Sequence, residues 1–333
     1  MGGPAWPRAR GSYALKSRSA WTGRTSLYSL IVGHTFRLQA AVIALGLTLP
    51  FLAVIPLDLQ AKLIDDAIPG GQVADIVSLA AMYGAIVAVT AAVKFLVTYI
   101  RGWIQEIVSR TLRVAIIEAQ RHRSPEQAAR RLGAVTSAIT GEVEDLGGFA
   151  SEALNTPLIE GGTLLTLVGF IAYSEPRLAA IGVAALALQA ALTPLLQARI
   201  NLLTQKRIKS LRRAGLDVID ATDPLHHNLI VPALYEVRHT YRLRLRMNVL
   251  KALLKIINNL IMHAATIAVI GYGGYLVIKG DIGVGLIVAF LTGLRQIDEH
   301  WGELLDFYRR YTDARVKFLL VTGTLTPDPP LPG

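Results

Sequence analysis

Cysteine is absent from the 333 residues, which excludes disulfides, thiolate metal sites and a cysteine nucleophile. The sequence also lacks a G-x-x-x-x-G-K-[ST] phosphate loop, a Ser-His-Asp spacing, a nucleophile elbow and the protein-kinase motif set. The expectation is therefore that this chain carries no catalytic residue, no metal ligand set and no cofactor site. Aromatic residues make up only 7% and are not interleaved with the basic ones, so a net charge of +10 does not read as a nucleic-acid surface. The first 35 residues are polar and basic, without a short apolar core and a small-residue cleavage site. No cleaved signal peptide is expected, and the first apolar stretch should act as an uncleaved anchor.

Charge is also missing, locally, from six long apolar runs. They lie near Leu38–Leu57, Ile76–Ile100, Leu158–Tyr173, Leu178–Leu196, Leu253–Ile278 and Ile282–Leu294. A membrane-crossing helix needs about 20 mainly apolar residues, so the third and sixth must borrow flanking residues. Hydrophobic residues reach 52% overall, and their clustering into runs defines an integral membrane protein.

The positive charge sorts into alternate segments. Arg8, Arg10, Lys16, Arg18, Arg24 and Arg37 precede the first span, and seven arginines from Arg101 to Arg131 separate spans two and three. Arg199 through Lys255 supply the basic residues between spans four and five, and Arg295, Arg309, Arg310, Arg315 and Lys317 follow span six. The other three connections hold only Lys62, Arg177 and Lys279, with Asp65, Asp66, Asp75, Glu175 and Asp281 beside them. Basic flanks stay cytoplasmic. Both termini are thus expected in the cytoplasm, with the protein in the cytoplasmic (plasma) membrane.

The two inner connections, 101–157 and 197–252, are too long to be structureless. Ile104, Val108, Leu112, Ala115 and Ile116 recur at helical spacing in the first, and Ile200, Leu203, Ile208, Leu211, Val218 and Ile219 in the second. Spans two to five are predicted to continue as helices well into the cytosol. At each tip a short helix is expected. Ser124 caps the first, Pro125 takes its first position, Glu126 follows, Gln127 completes a capping box, and Gly133 ends it. Asp223 and Pro224 open the second, which Pro232 ends or kinks. These turns read either as capped surface turns or as docking elements for a cytoplasmic partner.

The layout, with three local stretches, resembles the six-helix transmembrane domain of ATP-binding cassette (ABC) exporters. Leu63-Ile64-Asp65-Asp66-Ala67-Ile68-Pro69-Gly70-Gly71 looks like that family's first external loop. Gly133, Ser137, Thr140, Glu142 and Val143 are spaced as in its entry to span three, with Ala138 where Arg is usual and Glu142 where Asp is usual. Gly280 to Phe290 is similar to its turn into span six, and Ala314-Arg315-Val316 falls on its exit helix. The resemblance covers residues 27–320, departs from the family at the second inner turn, Ala221–Val237, and includes an interfacial elbow helix at Trp21–Val32. It implies an all-α polytopic protein divided as a cytoplasmic N-terminal segment (1–35), a six-helix domain (36–320) and a Pro-rich tail or linker (321–333). It also implies a second transmembrane subunit, identical or not, and a nucleotide-binding subunit that binds ATP and Mg and docks on Ser124, Pro125, Glu126, Gln127, Asp223 and Pro224.

Polar side chains at membrane depth are site candidates by default. Lys94 in span two reads as snorkelling or ion-paired, and Glu160 as the polar start of span three. Asn258, Asn259 and His263 form a polar stripe in span five that faces either a cavity or a neighbouring helix. In Asp298-Glu299-His300, adjacent residues point apart on a helix, so a solvated end is the default over a metal site. The His226-His227 pair has no spaced acidic partner, and Gly161-Gly162 and Gly271 to Gly274 read as helix-packing glycines. The leading expectation is a membrane subunit moving a substrate by ATP hydrolysis on a partner. The alternatives are a proton-driven transporter, with Glu160, Lys94 and His263 as relay, or a non-transporting scaffold or immunity protein. No nucleic-acid partner is expected.

Overall fold

A computed structural model describes residues 27–121, 123–220 and 230–325. Every regular element among them is helical: α1 (Leu27–Gly46), α2 (Leu49–Lys62), α3 (Ile68–Gly70), α4 (Val73–Arg121), α5 (Pro125–Ser137), α6 (Val143–Glu152), α7 (Asn155–Ser174), α8 (Pro176–Asp220), α9 (Ile230–Lys279) and α10 (Val284–Leu325). π-helical turns at Leu63–Ala67 and Ala138–Glu142 join α2 to α3 and α5 to α6.

Among the described residues, five helical stretches are long and apolar enough to cross a membrane: Thr35–Gly70, Val73–Arg121, Asn155–Ser174, Pro176–Gly215 and Leu234–Lys279. They coincide with the first five predicted spans. The sixth, Ile282–Leu294, opens α10, where Arg295, Asp298 and Glu299 follow too closely to leave a charge-poor window of full length. The predicted extensions are continuous in α4, α8 and α9, which have 49, 45 and 50 residues. At about 1.5 Å per residue such helices run roughly 70 Å, more than twice a hydrocarbon core.

Proline sets most of the breaks. The first span is not one rod, because a turn at Leu47–Thr48 separates α1 from α2 just before Pro50, whose missing N–H leaves the Gly46 carbonyl without its helical donor. The predicted continuation of span three is not unbroken either: a turn at Ala153–Leu154 precedes Asn155-Thr156-Pro157 for the same reason. One predicted end is absent. Helix α5 passes Gly133 and continues to Ser137, because burial of Val135 and Ala138 in the core outweighs one glycine. The short helix expected from Pro224 toward Val231 lies, up to position 229, outside the described residues, and Pro232 stands within α9 as described.

The chain divides into two compact units. The first comprises Met1–Leu52, Val87–Thr163 and His300–Gly333. Its core joins Val108, Leu112 and Ile116 of α4 to Val135, Ala138, Val143, Leu146 and Phe149, and to Ala314, Phe318 and Val321 of α10. Phe149 stacks on Phe307 at 5.9 Å. The helical spacing read in Ile104–Ile116 is this buried face. A second cluster packs Val42 and Leu49 on Val97, Ile104 and Ile159.

The second unit comprises Ala53–Ile86 and Leu164–Glu299. Antiparallel α8 and α9 pack along their length, Ser210 against Glu236 and Thr240 at the inner end, Gln189 against Asn258 further out. Ile200, Ser210 and Ala214 line the buried face of α8, whereas Leu211 is 45% exposed, contrary to the apolar face read from sequence. Small side chains let the two backbones approach, so Ser and Ala replace the larger apolar residues there.

Candidate functional site

Three adjacent residues of α10, Asp298, Glu299 and His300, meet three different partners. His300 Nδ1 lies 2.5 Å from Glu160 Oε2 on α7, both side chains about four-fifths buried, within hydrogen-bonding distance. Asp298 Oδ1 accepts a hydrogen bond from Gln189 Nε2 at 3.2 Å. Glu299 pairs along its own helix with the exposed Arg295. Helical rotation of about 100° per residue sends neighbours apart, and no cluster of three metal-ligating groups forms among the described residues. The solvated helix end expected at 298–300 is therefore two part-buried polar contacts and one exposed pair.

Glu160 stands fourteen residues from the Ser174 end of α7 and His300 sixteen from the Val284 end of α10, about 21 and 24 Å along each axis. Both distances are shorter than the roughly 30 Å thickness of a hydrocarbon core. Of the residues in the predicted relay, Glu160 pairs with His300, Lys94 is exposed on α4 and His263 is exposed on α9. Of the polar stripe, Asn259 is exposed and Asn258 half-buried, its carbonyl 3.4 Å from Gln189 Nε2. Gln189 itself, wholly buried, drew no attention in the sequence. A single glutamine in an apolar run was the available signal.

In the first unit, Pro125 opens α5 and Ser124 is exposed just before it, with Glu126 and Gln127 in the first turn. Arg123 donates to the Thr324 carbonyl at 2.8 Å and Arg131 to that of Gly323 at 2.9 Å. These are terminal carbonyls of α10, which intrahelical donors leave open and cations favour. The inner turn is thereby tied to the exit end of α10. A chain of ion pairs follows outward: Lys317 to Asp145 and Asp313, Arg113 to Glu144, and Glu152 between Arg101 and Arg310. Burial works against the Lys317 ammonium, but its hydrogen bonds to Asp145 and Asp313 prevail and hold it above the ordinary lysine value. Asp223, Pro224 and the His226-His227 pair lie outside the described residues.

At the outer end of the second unit, Asp65 caps α10. Its Oδ1 accepts from Gly285 N–H at 2.6 Å and its Oδ2 from Leu286 N–H at 3.1 Å. A Cβ on Gly285 would stand 2.5 Å from the Ala61 carbonyl, so glycine permits this approach. Gly280, at φ 78°, makes the preceding turn. Arg177 bridges Glu175 at 2.7 Å and Asp281 at 3.0 Å. Of the glycines read as packing residues, Gly162 meets Pro50 and Gly273 meets Ile287, while Gly161, Gly271 and Gly274 face open space.

Apolar helices of membrane length, helices longer than a bilayer is thick and an aspartate that ties the loop after α2 to α10 define a polytopic membrane domain. The family described as ABC transporter transmembrane region matches residues 40–222, more than half of the chain, and the protein belongs to that family. No curated protein matches it.

Proposed function

We propose that the chain is the substrate-translocating membrane subunit of an ATP-driven transporter in the cytoplasmic membrane, with both termini in the cytoplasm. Membership of the ABC transporter transmembrane region family is the observation that carries this reading. The 333 residues contain no phosphate loop, so ATP and Mg belong to a nucleotide-binding domain outside them. Two six-helix units, identical or not, form the pathway. The inner turns at Ser124–Gln127 and Asp223–Pro224 dock the motor. The tie from Arg123 and Arg131 to the end of α10 supports the first of these turns as the place where motor movement enters.

Pull-down in mild detergent from native membranes, followed by mass spectrometry, is the direct experiment. Recovery of a protein bearing a phosphate loop supports a split transporter. Its absence, with flux insensitive to vanadate, sinks the ATP-driven reading.

The Glu160–His300 pair at membrane depth favours one other reading, transport coupled to protons. A protonophore would then abolish flux that vanadate leaves intact.

A further inference from the structure

Within the second unit, the Gln189 side chain of α8 meets both α9 and α10, and α8 and α9 carry buried oxygen atoms with too few donors. Gln189 and Thr193 of α8 lie one turn apart, and both are wholly buried. The Gln189 amide nitrogen donates to Asp298 Oδ1 and faces the Asn258 carbonyl. Gln189 Oε1, Thr193 Oγ1 and Asn258 Oδ1 are each buried without a hydrogen-bond partner. A buried oxygen without a donor costs about 1–3 kcal/mol, and each of these three is open in the protein alone.

The charge is unbalanced as well. Asp298 is half-buried, and its one hydrogen-bond partner among the described contacts is a neutral amide. The nearest cations along the three helices, Arg199, Lys255 and Arg295, are exposed, and Arg295 is paired with Glu299. From the outer ends of α8 and α10, Gln189 and Asp298 lie thirteen and fourteen residues in, about 20 Å. A carboxylate at that depth is kept by a counter-charge or by a proton.

The donor set narrows the ligand. Every open position is an oxygen, which suits a hard cation and excludes soft metals. A single carboxylate is too little charge for Ca²⁺, which draws on several acidic ligands, and Mg²⁺ gives up its water reluctantly. We propose that Gln189, Thr193, Asn258 and Asp298 form a binding site for an alkali-metal cation, which neutralises Asp298 and satisfies the three open oxygens. The ion would join α8, α9 and α10 at one level. This site stands independently of the motor and the transported substrate.

The test is thermal unfolding of the purified full chain in lipid nanodiscs, in NaCl and in choline chloride at equal ionic strength. Na⁺ is expected to raise Tm by several degrees in a saturable manner, because a ligand bound only to the folded state stabilises it by mass action. Thr193→Val, which keeps the volume and removes the hydroxyl, should reduce the shift, and Asp298→Asn should abolish it. Equilibrium binding of ²²Na⁺ should fall in the same order. Equal Tm in both salts for the unsubstituted protein would overturn the proposal in favour of buried water. A shift on acidification alone would overturn it in favour of a protonated Asp298. Should Asp298→Asn fail to fold, a full Na⁺ shift in Thr193→Val overturns it.

Discussion

Asp65 illustrates how one carboxylate acts through backbone geometry. It accepts from two N–H groups at the start of α10, so Asp65→Ala should destabilise by about 0.5–2 kcal/mol, the usual cost of a lost cap. Asp65→Asn, which still caps, should retain most of the stability, and equal losses in the two variants would refute the capping role. Glu175 offers a pH readout. Its hydrogen bond from Arg177 holds the carboxyl below the ordinary value of 4.5. A depressed folded pKa contributes stability that is present above the unfolded value and lost as pH falls through the folded one. Acid unfolding should therefore flatten below pH 4.5 in Glu175→Gln, and an unchanged acid limb would show that the pair contributes nothing. Lys317 has the opposite sign: its raised pKa contributes stability below 10.5 that is lost as pH rises through the folded value.

The tie between the inner turn and α10 belongs to the scale of elements. Arg123 and Arg131 meet carbonyls of its last turn, each worth about 0.3–1 kcal/mol at a helix end. Replacing both by Ala should raise hydrogen exchange in the last turns of α10 while α4 stays protected. If exchange is unchanged, the tie does not hold the helix end. Much at this scale was legible beforehand. The spacing of Ile104, Val108, Leu112 and Ile116 gave both helix and buried face, because period and burial share one cause. Gly133 misled because an intrinsic preference of about 1 kcal/mol is weaker than the packing of its neighbours. Leu211 misled because α8 meets α9 through small residues, a choice that depends on the partner helix.

At the scale of the whole molecule, the proposed coupling predicts a separation of activities. Substituting Pro125 should lower transport per ATP consumed while insertion and partner recovery remain normal. Normal coupling in that variant would remove this turn from the transmission path. The reading at the other inner turn is tested in the same way by Asp223→Ala.

Composition and pattern alone determined the membrane class, five of the helical spans, the long extensions and the family, because a bilayer admits few solutions and each needs a long local run of apolar residues. Tertiary structure decided which polar residues work together. Glu160 was legible as an ionisable residue at membrane depth, yet its partner His300 lies 140 positions away. Gln189 stands 109 positions from Asp298. Such pairings depend on the rotation and register of packed helices, which the local pattern of one helix leaves open.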